Sequence, residues 1–457
     1  MPNRNDTIVA TSTAPGRGAI AIVRLSGRDA FHIASAVSKP FPDTARLATL
    51  CHLHRPHDPA AVIDQGLVTR FDGPASYTGD DLVELAVHGG TLVSTLVVEA
   101  LVQAGARPAF AGEFTERAVL NGKMDLVQAE AVADIIDARS RAAHRAAVRQ
   151  LDGALSQRLS GIRQALLQVD ALIAYEIDFP MEDDGTLNRA SVTAACDDAL
   201  ARIEQLLATL PAATLGREGA IVVLAGPPNA GKSALLNAVI GESRVLVSEI
   251  PGTTRDAVEV FLDDDPYPLC LVDTAGLRTS ADRLEQMGIE VSERYLAKAQ
   301  VVLACAESPD ALDTTMRAVQ GLTQGTVVPV ATKCDLTASS PRSRGEGTSA
   351  GEPLRVSAVT GEGLPQLRDA IRRAVADQVA PPAEDVPLIT RARHEHALRR
   401  AAEELRAFSF AWESRALPAP VAATHLRAAA TALESLIGAV DVEDVLERVF
   451  RTFCIGK

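Results

Sequence analysis

The sequence predicts a multidomain chain of mixed class, α/β and α, and three observations predict it. At 457 residues it exceeds one ordinary core, so two to three domains are expected. In the middle of the chain the apolar runs Ala220–Leu224, Leu269–Val272 and Thr326–Ala331 read as buried strands, each ending in a polar motif. Before and after that block lie Ala- and Leu-rich stretches with helical spacing, as expected if an α/β domain is inserted into a helical one. The divisions expected are 1–120 (α+β), 121–215 (helical, first part), 216–379 (α/β) and 380–457 (helical, second part).

In the first region Thr7–Ala10, Ala19–Leu25 and Leu82–Val87 read as strands and Thr91–Ala104 as a helix. From Leu126 to about Ile177 the pattern is helical. Leu151, Leu155, Leu159, Ile162, Leu166, Val169 and Ile173 recur at steps of four and three on one face of a long helix, which makes them core. Just before them Arg141, Arg145 and Arg149 form a basic ridge, either a solvated face or a contact for an RNA or a protein partner. The segment Thr337–Pro353 is polar and low in complexity, and Ala380–Pro387 is a proline-rich link. Beyond it, Arg391–Trp412, Ala422–Ile437 and Val442–Phe450 are expected helices.

The central block carries the chemistry. Gly226–Ser233 (GPPNAGKS) follows its strand directly and fits GxxxxGK[ST], in which the glycines let successive N–H groups surround phosphates at a helix N-terminus. The loop residues Asn229, Ala230, Gly231 and Ala234 line it, Lys232 reaches the β and γ phosphates, and Ser233 ligates Mg²⁺. Asp273 and Gly276 form a DxxG element, holding Mg²⁺ through water and sensing the γ phosphate. Thr332, Lys333 and Asp335 resemble the NKxD motif, whose carboxylate accepts from N1–H and the exocyclic amine of guanine. Ser357, Ala358 and Val359 suit the loop that backs the base. Together these specify GTP and oppose an ATP-dependent enzyme. Thr332 stands where asparagine is usual and lacks its amide donor, so weaker GTP binding is expected.

A net charge of −14 opposes broad binding to nucleic acid or anionic membranes. Six cysteines without CxxC spacing indicate reduced thiols. The start MPNRNDTIVA lacks an apolar signal core, and no apolar run approaches ~18 residues, so a soluble, cytoplasmic protein without membrane association is expected. Cys454, fourth from the end, fits a prenylation box poorly because Gly456 and Lys457 follow it.

Several long stretches, DTIVATSTAPGRGAIAIVRLSG, YTGDDLVELAVHGG, AGEFTERAVLNGKMDLVQAEA, the GTP motifs and the terminal FCIGK, together resemble the MnmE (TrmE) family along essentially the whole chain. These are tRNA-modification GTPases of bacteria and organelles. The resemblance implies a homodimer that works with the flavoprotein MnmG to install an aminomethyl-type group at C5 of the tRNA wobble uridine. It implies that the first domain binds a 5-formyl-tetrahydrofolate-type donor through Arg24, Glu84, Lys123 and Lys457. It implies K⁺ held by Asn229, Ser248, Ile250 and Thr253, Mg²⁺ held by Ser233 and Thr254, and Glu285 orienting the attacking water. Leu277, where small signalling GTPases carry glutamine, cannot position that water, and Pro251 stiffens a loop where alanine is usual. Cys454 falls near the modification chemistry, as a nucleophile or as a buried structural thiol. The alternative is a regulatory GTPase of ribosome assembly without group transfer; only the first domain and the FCIGK tail separate the two.

Overall fold

The computed structural model describes residues 6–138, 140–178, 189–241, 258–264, 266–273, 294–336, 352–379, 386–415, 417–438, 449–450, 453 and 456. Two compact units are present: Met1–Ala133 with Leu151–Asp170 and Leu426–Lys457, and Asp134–Gln150 with Ala171–His425.

The first unit contains a seven-stranded sheet in the order β3-β4-β5-β6-β2-β1-β7. Its strands are β1 Ile8–Thr11, β2 Ile20–Ser26, β3 Ser38–Lys39, β4 Thr49–Arg55, β5 Asp58–Phe71, β6 Leu82–His88 and β7 Arg107–Pro108. The period of two in β2 sends Val23 and Leu25 into a core with Val83, Leu85 and the helix residues Val97 and Leu101. Arg24 must then project from the opposite face, and the antiparallel register sets Glu84 of β6 directly across from it. Strands β4 and β5 have no strong alternation of their own and fold as a long hairpin on the β6 edge.

The helical stretch 126–177 is broken into Leu126–Asp137, Arg141–Leu151 and Ala154–Asp178. Leu155, Leu159, Ile162, Leu166, Val169 and Ile173 are buried as their spacing predicts. Leu151 instead ends the preceding helix and is half-buried, because the chain turns at Gly153 with φ +87°. Helices Ala392–Ser414 and Ala419–Ile437 form where expected, and of Val442–Phe450 only Val449 and Phe450 are described, both helical.

The second unit contains a six-stranded sheet in the order β13-β12-β11-β8-β10-β9. The strands are β8 Ala220–Ala225, β9 Val258–Leu262, β10 Leu269–Asp273, β11 Val301–Ala306, β12 Thr326–Ala331 and β13 Leu354–Arg355. All neighbours run parallel except β9 with β10. Strands β10 and β11 are buried throughout, which is why they read as unbroken apolar runs rather than alternating ones. Parallel strands share one carboxyl edge, so the loop after β8, Asp273 at the end of β10 and the residues after β12 come together there.

Candidate functional site

The loop after β8 is shaped by what its residues permit. Gly226 has φ +153°, and a Cβ there would lie 2.1 Å from the Cys305 carbonyl oxygen, so only glycine passes. Gly231 has φ +79°, and Asn229, at φ +62°, is a residue type that tolerates the left-handed region. The chain then enters the helix Lys232–Gly241, whose first N–H groups face the loop. Lys232 is buried, and its Nζ donates to the carbonyls of Gly226 at 2.9 Å and Pro227 at 2.8 Å. An ammonium held against loop carbonyls sits where phosphate charge would be received. Beneath it, burial pushes the Cys305 thiol up to about 12, so this sulfur stays neutral.

On β10, Asp273 is opposite Leu224 of β8, and its Oδ2 accepts from the Ser233 hydroxyl at 2.6 Å. Ser233, one of the two expected Mg²⁺ ligands, is thus in contact with Asp273, expected to act on that ion through water, and both offer hard oxygen donors of the kind it takes.

The guanine motif after β12 is fastened to the phosphate loop. The buried Thr332 donates its hydroxyl proton to the Ala230 carbonyl at 2.8 Å. Lys333, at φ +54°, donates from Nζ to the Asn229 carbonyl at 2.9 Å and pairs with Glu307. Thr332 thus makes with one hydroxyl a tie that needs no amide. Asp335 is exposed, free to meet a base. Ser357 is buried and its Oγ accepts from the N–H groups of Val359 at 3.3 Å and Thr360 at 3.2 Å, which fixes the turn, while Ala358 is half-buried and Val359 exposed. Ala234 is exposed on the first turn of the helix.

A Thr332→Val substitution keeps the shape and removes the hydroxyl. It leaves the Ala230 carbonyl without its donor, at about 1–2 kcal/mol, so GTP affinity falls roughly tenfold while Thr332→Ser stays near wild type. Titration with a fluorescent GTP analogue checks this; equal affinities for valine and threonine would remove the tie from the binding account.

In the first unit, Arg24 donates from Nε and Nη2 to Glu84 Oε1 at 3.1 and 2.7 Å. Its guanidinium lies over the rings of Tyr77, 5.1 Å to the centroid, and Phe114, 5.8 Å. Nη1 is buried and, among the described residues, has no hydrogen-bond partner. Tyr77 donates to or accepts from Thr115 Oγ1 at 2.9 Å, and burial pushes its hydroxyl pKa up. Lys123 donates to the Pro74 carbonyl at 2.9 Å, on the same loop that brings Tyr77 to Arg24. At the other end of the chain, the Gly456 carbonyl accepts from the Ser12 hydroxyl at 2.9 Å, next to Thr11 on β1.

Sequence reasoning did not single out Tyr77, Phe114, Glu307 or Ser12. Tyr77 and Phe114 lie inside stretches that carry the family resemblance, but no spacing rule joins them to Arg24. Ser248, Ile250, Pro251, Thr253, Thr254, Gly276, Leu277, Glu285, Cys454 and Lys457 lie outside the described residues. Among the described residues no helix is long and apolar enough to cross a membrane.

The family model described as "GTP-binding protein TrmE N-terminus" matches residues 7–123, and that described as "MnmE helical domain" matches residues 126–454. A protein of Neisseria meningitidis serogroup B named "tRNA modification GTPase MnmE" is 38% identical over 462 residues, covering 100% of both chains. One of the same name from Nitrosomonas europaea is 39% identical over 457 residues, covering 99% of each. Among solved structures, the G domain of the T. maritima FeoB iron transporter covers 34% of this chain and 98% of its own, at 26% identity and a TM-score of 0.25. With both family models side by side along the chain and relatives matched end to end, this chain belongs to the MnmE family of tRNA modification GTPases.

Proposed function

We propose that this GTPase acts in the cytoplasm as a homodimer with an MnmG-type flavoprotein, and that together they add an aminomethyl-type group to C5 of the tRNA wobble uridine. The one-carbon donor is a 5-formyl-tetrahydrofolate-type molecule, and GTP hydrolysis switches the complex through its cycle.

Lys232 and the N–H groups of Asn229 to Ala234 hold the phosphates, Asp335 selects guanine, and the turn Ser357–Val359 backs it. Glu285 orients the attacking water, with Gly276 sensing the γ phosphate. Ser233 and Thr254 hold Mg²⁺, with Asp273 behind Ser233 at 2.6 Å. Asn229, Ser248, Ile250 and Thr253 hold K⁺. When bound, the two cations neutralise charge that gathers on the phosphate oxygens in the transition state. Of the K⁺ set only Asn229 is described, and its left-handed backbone is compatible with such a loop.

The observation that carries this reading over a plain ribosome-assembly switch is Arg24. A buried guanidinium nitrogen without an acceptor is unfavourable by the desolvation of that donor. A ligand carboxylate or pterin oxygen would relieve it, with Glu84 and the two rings holding the side chain still. Lys123 lies on the neighbouring loop, and Gly456 lies against Ser12, just past the end of β1, the strand paired with that of Arg24. A switch has no use for such a pocket.

Complementation tests this. The chain is expressed in a bacterium lacking its own MnmE, and wobble nucleosides from bulk tRNA are quantified by mass spectrometry. The 5-substituted uridines are expected to return, and to be lost again with Glu285→Ala or Arg24→Gln. A folded, soluble chain that restores none of them and binds no 5-formyl-tetrahydrofolate would overturn the proposal.

A further inference from the structure

The helix Arg141–Leu151, RAAHRAAVRQL, holds three arginines, a histidine and no acidic residue, in a chain with 59 Asp and Glu against 45 Lys and Arg. Arg141, His144, Arg145 and Arg149 are exposed, while Ala147 and Gln150 face inward. Spacing of four places successive arginines one turn apart, about 6 Å along the axis, comparable to the step between phosphates along an RNA strand.

Nothing in the helix itself asks for this arrangement. Like charges at i and i+4 are mutually unfavourable, and a cation in the first turn opposes the helix dipole. The fold nevertheless presents the ridge firmly. The Ser140 hydroxyl accepts from the Ala143 N–H at 3.0 Å and donates to the Gly216 carbonyl at 3.0 Å, pinning the start. At the far end the Thr390 hydroxyl donates to Gln150 Oε1 at 3.4 Å. Arg141 pairs with Asp263 at 3.2 Å with its side chain 68% exposed. Asp263 is only 17% exposed and keeps its contact, while the outward part of the Arg141 guanidinium remains open to a further anion.

We propose that Arg141, Arg145 and Arg149 contact the phosphate backbone of the tRNA substrate, an inference that rests on the tRNA reading above. Between the cations the helix carries only half-buried alanines and the half-buried Val148, without the aromatic or large aliphatic anchors on which protein partners depend. A line of cations without anchors suits a polyanion, and it gives an acidic protein a local place to hold RNA despite its overall repulsion.

Binding of bulk bacterial tRNA to the full chain, followed between 50 and 200 mM KCl, tests it. The triple variant R141Q/R145Q/R149Q is expected to bind at least tenfold more weakly at the low-salt end. Its log affinity against log salt should be shallower by about 2 to 3, since each lost contact removes about 0.7–0.9. R141K/R145K/R149K should keep most of the slope, and GTP hydrolysis should be unchanged in both, which reports an intact fold. Wild-type affinity and slope in the glutamine variant would overturn the ridge assignment alone. If that variant instead loses only its hold on a partner protein, the ridge is a protein contact and the proposal falls. A wild-type chain with no affinity for tRNA would overturn the tRNA reading as well.

Discussion

Replacing Lys232 by alanine lowers the rate of GTP hydrolysis by at least two to three orders of magnitude, with the protein still folded. Lys232 is 5% exposed and its ammonium is held by the Gly226 and Pro227 carbonyls, so it meets the phosphates already stripped of most water. A preorganised charge of this kind is worth about 3–4 kcal/mol at the transition state, or roughly 10²–10³ in rate. Ground-state binding weakens too, so the loss is larger in kcat/KM than in kcat. Lys232→Arg does not rescue, because a planar fork differs in shape from a compact ammonium and the loop leaves it no extra room. Phosphate release under saturating GTP decides: a fall of less than about fivefold would mean that Lys232 is not the phosphate-binding cation.

The second large effect is a change of base. Asp335 is exposed at the end of a loop whose preceding residues are fastened down, so its place is set by the anchoring of its neighbours. Asp335→Asn puts a donor where guanine presents N–H groups. Losing two hydrogen bonds to a charged acceptor removes about 3–6 kcal/mol, so GTP affinity falls roughly 10²–10⁴-fold. Xanthine carries an oxygen where guanine carries its exocyclic amine, and the new amide can donate to it. The variant is therefore expected to bind and hydrolyse XTP better than GTP, with the parallel sheet unperturbed. Competition between the two nucleotides measures this, and a variant that still prefers GTP would take base selection away from Asp335.

How much of this was legible beforehand follows from the range of the interactions involved. The phosphate loop, the DxxG aspartate and the guanine motif are local features, each a strand end with a turn, and the parallel sheet brings its carboxyl edge together whatever lies between. The stripe Leu155 to Ile173 was legible for the same reason, since helix packing has a local period. The sequence was silent where a contact joins distant residues through unpatterned loops. The Tyr77 and Phe114 rings over Arg24, the Glu307 carboxylate on Lys333 and the Ser12 hydroxyl on Gly456 each span a separation that no periodicity encodes. The long hairpin of β4 and β5 escaped because its exposed strands lack clean alternation. The break at Gly153 was hidden by an apolar spacing that runs straight across it.

The two bonds from Thr332 and Lys333 to Ala230 and Asn229 make the base-reading loop and the phosphate loop one ruler, its length set before any nucleotide arrives. A ruler measures both ends at once. Guanosine alone or inorganic triphosphate alone engages only one mark, whereas the joined molecule meets both without further ordering, so its affinity exceeds the product expected of separate pieces. Both acceptors are backbone carbonyls, so the tie survives any change of side chain at 229–230 that keeps the loop's course and depends instead on the two donors, the Thr332 hydroxyl and the Lys333 ammonium.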